Sequence, residues 1–168
     1  MIRLRAFFRH QRGSATIEFA FASLFLFGII MVSLDFAMYA QQNLKLGSAV
    51  EQGAIIAFKQ GASGLDQSTI GNYVSATVGG SPTMSYQCNG GTCSGTNSKC
   101  IGAPTAAGGW PTFTAATVDA SGNATCANGA APGYYLVIRA QRTYQSVVVP
   151  DRYLNGGTMQ QQAVVRLS

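Results

Sequence analysis

The sequence predicts an α+β protein in which a long N-terminal helix packs on a small antiparallel, β-rich, disulfide-bonded head. An apolar run at residues 17–34 continues into an amphipathic helical pattern. Segments with strand-like alternation follow, and four cysteines lie beyond the apolar run. The predicted divisions are a basic leader at 1–13, a long helix at 14–60 and a head at 61–168.

Basic residues are concentrated in the leader. Four of the eleven lysines and arginines precede Ser14, which leaves seven bases against six acids in the rest of the chain. Arginines before an apolar run predict a cytoplasmic N-terminus, with the head across the membrane. The nearly neutral remainder gives no indication of nucleic-acid binding. The four leader arginines are Arg3, Arg5, Arg9 and Arg12.

The apolar run is long enough to span a bilayer. Its 18 residues cover about 27 Å as a helix, close to the thickness of the hydrocarbon core. A cleavable signal peptide is disfavoured, because its apolar stretch is shorter and a small-residue cleavage site follows it.

Two carboxylates mark the two ends of this run. Glu18 lies near its start, where a buried charge costs roughly 2.5 to 3.5 kcal/mol unless it is paired or reaches the headgroups. Asp35 lies where the helix should leave the bilayer. For Asp35, solvation at the interface is favoured over a contact with another subunit.

The helical pattern continues outside the predicted membrane span. Gly61 and Gly64 predict the end of the long helix near residue 60. A second, short helix is predicted to begin at a cap, Asp66 or Ser68, and to end at Gly79. The apolar residues expected on the buried face of the long helix are Phe36, Tyr39, Leu46, Val50 and Phe58.

The head is predicted to be mainly antiparallel sheet. Residues 83–87 form a strand, 94–109 a loop and 112–118 a weak strand. The strongest alternation, at 134–149, predicts a long strand that ends at Pro150. After a turn at 155–157, residues 159–167 return as its antiparallel partner.

The cysteines predict two disulfides. Four thiols in an exported head allow three connectivities, and a pair between Cys88 and Cys93 is favoured because it closes a short turn. Cys100 and Cys126 would then form the second pair. A zinc site is disfavoured, because the spacings contain no C-x-x-C pair and the single histidine, His10, precedes the apolar run.

Composition argues against an enzyme. Beyond His10 there is no histidine, the few acids are scattered, and no nucleophile motif or phosphate loop is present. We therefore expect no catalytic residue, no metal and no cofactor. Trp110 is a candidate surface contact, with packing under a loop as the equal alternative.

Residues 12–19, Arg-Gly-Ser-Ala-Thr-Ile-Glu-Phe, followed by the apolar run, resemble the processing site of type IV pilin-related proteins. They are most similar to that of TadE-like minor pilins of the tight-adherence (Tad) pilus. The resemblance is strongest over residues 9–60 and implies a pilin-like fold. It also implies cleavage by prepilin peptidase between Gly13 and Ser14, which makes Glu18 the fifth residue of the mature chain. The Glu18-Phe19 pair favours the Tad branch.

The resemblance further implies how the subunit assembles. Glu18 would meet the Ser14 amino group of a neighbouring subunit, and the partners would be other Tad pilins, the inner-membrane assembly machinery and lipid. The head would be periplasmic, and later part of a pilus or the cell surface. The alternative is an uncleaved, single-pass membrane protein whose exported head binds a surface, a glycan or an envelope partner.

Overall fold

The computed structural model describes residues 11–94, 97–104 and 109–168. Within them the chain forms two α-helices, α1 (Gln11–Gln60) and α2 (Gln67–Val78), and two short 3-10 helices, Asp151–Tyr153 and Asn155–Gly157. The leader arginines Arg3, Arg5 and Arg9, and parts of the predicted 94–109 loop, lie outside the described residues. The strands are β1 (Thr83–Cys88), β2 (Cys100–Pro104), β3 (Pro111–Thr114), β4 (Thr117–Val118), β5 (Ala124–Thr125), β6 (Tyr135–Thr143) and β7 (Thr158–Arg166).

Both helices end where the sequence predicts. Gly61 has a φ of 71°, which lets the chain turn away after Gln60. Asp66 is the N-cap of α2, and its side chain accepts a hydrogen bond of 2.9 Å from the Ser68 amide. Gly79 ends α2 in the left-handed conformation, with a φ of 72°.

The strands form three antiparallel sheets in the described part of the chain, ordered β1-β6-β7, β2-β3 and β4-β5. In the main sheet, Ile138 of the central strand β6 lies opposite Tyr86 on one side and Ala163 on the other. The predicted pairing of β6 with the following strand is confirmed. The α+β, pilin-like fold class is therefore confirmed as well.

The core lies between the distal half of α1, α2 and one face of the main sheet. Leu46 and Val50 are buried as predicted, whereas Phe36 and Phe58 are 44% and 62% exposed, so that part of the prediction is wrong. α1 approaches α2 closely at a glycine, since a Cβ added at Gly53 would lie only 3.1 Å from Ile70. Other buried residues of the core are Ala49, Ala54, Ala57, Val74, Leu136, Ala140 and Met159.

Three strand predictions need correction. Residues 100–104, expected in a loop, form β2 by pairing with β3, and the predicted 112–118 strand is split between β3 and β4. β6 ends at Thr143 rather than at residue 149. Beyond it, backbone amides at 147–149 donate to the side chain of Asp35 instead of a neighbouring strand.

Two disulfides cross-link the head, one after β1 and one at β2. Cys88 bonds to Cys93 with a Cα–Cα distance of 4.7 Å, and Cys100 bonds to Cys126 with a distance of 5.6 Å. These are the two pairs favoured from the sequence. The first closes the turn that follows β1, and the second ties β2 to the segment after β5.

Candidate functional site

The residues of the predicted processing site lie at the start of α1. Gly13 and Ser14 are in its first turn, and Glu18 and Phe19 follow one turn later with exposed side chains. Phe19 is 74% exposed. α1 thus begins at Gln11, slightly before the predicted start at Ser14. Cleavage between Gly13 and Ser14, and the role of Glu18, stay predictions.

The apolar half of α1 is largely exposed in the described chain. α1 is long and apolar enough to cross a membrane, and none of its most apolar 18-residue window is buried by the rest of the protein. In contrast, the half beyond residue 45 supplies core residues that are 0–8% exposed. One continuous helix therefore has an exposed apolar half and a half that packs into the head.

Asp35 marks the junction between these halves. It is 1% exposed, and its Oδ2 atom accepts hydrogen bonds from the amides of Val147, Val148 and Val149 at 3.1, 2.9 and 2.9 Å. The sequence favours solvation of Asp35 at the interface, and this prediction is wrong. The carboxylate is buried because three amides of its own head satisfy it.

Tyr144 completes the environment of Asp35. Its hydroxyl donates to Asp35 Oδ1 at 2.5 Å, and its ring packs edge-on against Tyr39 with 5.4 Å between ring centroids. The hydrogen bond to Asp35 and then burial raise the pKa of Tyr144 to about 12, because both disfavour the phenolate. Tyr144 therefore stays a neutral donor to the carboxylate at physiological pH.

Trp110 lies away from this junction, against the main sheet. It is half-buried, and the guanidinium carbon of Arg139 lies 4.0 Å from its ring centroid. Arg139 also donates to Gln162 on the neighbouring strand β7 at 2.9 Å. The tryptophan therefore packs on β6 through a cation–π contact. A role for Trp110 as a contact surface stays a prediction.

Among the described residues, no group of three His, Cys, Asp or Glu side chains could hold a metal ion. The contact that sequence analysis missed is that of Asp35 with residues 147–149. Two signals in the sequence could have indicated this contact. Asp35 directly follows the apolar run, and the predicted strand at 134–149, which ends in three valines, is longer than a usual strand.

Comparison with known proteins gives a family match for the N-terminal region. Residues 13–54 match the family model described as TadE-like protein, and the match begins at Gly13 and includes both Glu18 and Asp35. No match was found among curated proteins or among solved structures. The resemblance inferred from the sequence is confirmed for this region. Over residues 13–54, a quarter of its length, the chain is similar to the TadE-like protein family.

Proposed function

We propose that this protein is a minor pilin subunit of a Tad pilus, trimmed by prepilin peptidase and incorporated to prime assembly or to cap the tip. The observation that carries the proposal is the division of α1. Its apolar half, which comes directly after the predicted processing site, is exposed. Its distal half packs in the core of the protein's own head. A helix built in this way can be anchored in lipid first and packed among other pilin helices later.

The proposed topology follows from charge and length. The leader at 1–13 is cytoplasmic, α1 crosses the inner membrane over residues 17–34, and the head at 61–168 is periplasmic. The two disulfides suit an oxidising compartment. Incorporation into a pilus would then carry the head to the cell surface, where it could support adhesion.

Processing would hydrolyse the amide bond between Gly13 and Ser14. The products are a carboxylate on Gly13 and a positively charged amino group on Ser14. A protease binds its substrate in an extended form, so the first turn of α1 must open, and glycine lowers the cost of opening because it is the poorest helix former after proline.

Cleavage would create a partner for Glu18. The new amino group of Ser14 lies four residues away along the helix, about 6 Å along its axis. In a bundle of apolar helices, a carboxylate and an amine of neighbouring subunits would each offset the burial cost of the other. The pair would set the axial register between subunits, and Phe19 and the other exposed phenylalanines would supply apolar contact area.

The test is the N-terminal sequence and intact mass of the full chain from membranes, with and without an active prepilin peptidase. We expect an N-terminus at Ser14 only when the peptidase is active. Gly13→Val should stay unprocessed, whereas Gly28→Val, at a site where an added Cβ meets nothing within 4 Å, should be cleaved normally.

A second pair of variants tests assembly after cleavage. Glu18→Gln should be cleaved but should not co-purify with pili, whereas Glu51→Gln, an exposed acid on the same helix, should be incorporated normally. An unprocessed N-terminus in both strains would reject the pilin proposal. It would instead favour the uncleaved membrane-anchored binding protein.

A further inference from the structure

The segment after β6 places apolar side chains beside the predicted membrane span. Residues 144–153, which we term the junction loop, connect Thr143 to the turn before β7. Val147 is 71% exposed and Val148 is 45% exposed. Both are apolar side chains that would be more stable out of water. Val148 shares an apolar groove with Ile29 and Val32 of α1.

The height of the loop along α1 follows from that groove. Val32 precedes Asp35 by three residues, which is about 4.5 Å along a helix. The valines therefore lie level with the last turn of the apolar run. This is the depth at which interfacial segments of peripheral proteins bury apolar side chains, about 5 to 10 Å into the boundary between headgroups and acyl chains.

Backbone polarity normally keeps a loop out of lipid, because an unpaired amide there costs several kcal/mol. In the junction loop, the amides of Val147, Val148 and Val149 all donate to one oxygen of Asp35. The loop can therefore present valine side chains to an apolar medium with these three donors satisfied.

The flank of the loop has the chemistry of a membrane interface. Tyr153 is 63% exposed and lines a second groove with Phe36 and Val148, and the guanidinium carbon of Arg152 lies 4.9 Å from its ring centroid. Tyrosine is enriched at the headgroup level of membranes, and arginine extends its charge toward the phosphates. The order along the loop is thus apolar first and amphipathic next.

We propose that the junction loop is a second membrane contact, in which Val147 and Val148 insert into the outer edge of the bilayer beside the exit of α1. Asp35 acts as the positioning residue that holds the loop at this depth. The inference rests on the proposed membrane span of α1. Its consequence is that the head is attached to the membrane surface at two points rather than hanging from a single helix.

The test uses single-tryptophan variants of the full chain in a Trp110→Phe background, reconstituted in phosphatidylcholine vesicles. The vesicles carry bromine, which quenches tryptophan, either near the ester end or near the methyl end of the acyl chains. Val147→Trp is the test site. Leu26→Trp reports the predicted membrane span, and Val118→Trp reports a position in the head. The two native residues are similarly exposed, Leu26 at 59% and Val118 at 63%.

We expect shallow bromine to lower the emission of Val147→Trp at least about twofold. Leu26→Trp should be quenched most by deep bromine, and Val118→Trp by neither lipid. Quenching of Leu26→Trp without quenching of Val147→Trp would overturn the junction-loop proposal and leave the span intact. An unquenched Leu26→Trp would reject the membrane span itself, and the junction loop with it.

The role of Asp35 is tested in the same assay. Asp35→Asn should reduce quenching of Val147→Trp toward the level of Val118→Trp while leaving Leu26→Trp unchanged. Glu51→Gln is the matched control and should change neither signal. Unaltered quenching in Asp35→Asn would reject the positioning role. If instead a second copy of the chain covered the valines, quenching would fall as the protein-to-lipid ratio rises, which would overturn the lipid assignment.

Discussion

The carboxylate of Asp35 accepts a hydrogen bond of 2.9 Å from the amide of Val149, which lies 114 residues further along the chain. This bond joins the end of the apolar run to the loop that follows β6. It is buried at both residues, with 1% exposure at Asp35 and 5% at Val149. Asp35 therefore adds a polar contact between α1 and the head to the apolar packing of the distal half of α1.

Loss of the Asp35 carboxylate should loosen the head where it meets α1. In Asp35→Ala, the amides of residues 147–149 lose their acceptor, so the melting temperature should fall. Amide hydrogen exchange at these three positions should accelerate at least about tenfold. Circular dichroism and exchange of the protein in detergent micelles measure both effects. Glu51→Ala should leave both unchanged, and an equal effect in the two variants would contradict the assignment.

A buried and an exposed leucine of α1 provide a matched test of the core packing. Leu46 is fully buried, and Leu44, two residues earlier, is 74% exposed. Leu46→Ala should lower the free energy of unfolding by about 2 to 5 kcal/mol through lost burial and a cavity. Leu44→Ala should change it by less than about 0.5 kcal/mol. Denaturant titration measures both, and a comparable loss in each would contradict the described packing.

The two disulfides should contribute unequally. Cys100 and Cys126 are 26 residues apart, and Cys88 and Cys93 only 5. By the chain-entropy model, replacing Cys100 and Cys126 with serine should lower the free energy of unfolding by about 3 to 4 kcal/mol. Replacing Cys88 and Cys93 should lower it by about 2 kcal/mol. Denaturant midpoints of the two double-serine variants give the comparison. The reverse order would show that strain or residual structure outweighs loop length.

Stability should fall in alkaline solution because of Tyr144. Its pKa is raised from the ordinary 10.0 to about 12, so the neutral phenol stabilises the fold. That contribution is fully present below pH 10 and is lost as the pH rises from 10 through about 12. Tyr144→Phe should flatten this part of the pH profile of the melting temperature. Tyr153→Phe, at an exposed tyrosine, should not.

Much of the fold follows from local sequence signals. Gly61, Asp66 and Gly79 set the ends of the two helices, since turns and caps depend on neighbouring residues alone. The pairing of β6 and β7 follows from alternation and from the glycine-rich turn between them.

The features that were missed depend on contacts between distant residues. β2 is a strand because β3 pairs with it, although its own sequence is typical of a loop. Phe58 has helical spacing but is exposed, because the neighbouring Ala57 faces the core instead. The processing residues Gly13 and Glu18 were found through a motif, whereas the role of Asp35 required its partners to be located in space.

The pairing of α1 with β7 affects when the protein can fold. Gln161 of β7 donates to Asn43 of α1 across 118 residues, and the same strand closes the main sheet next to β6. The core therefore stays open until the ribosome has passed β7, and the distal half of α1 is exposed for most of synthesis. Cys88, Cys93, Cys100 and Cys126 all precede β7 in the chain. The thiols thus emerge before the core can close, while they are still accessible to an oxidant.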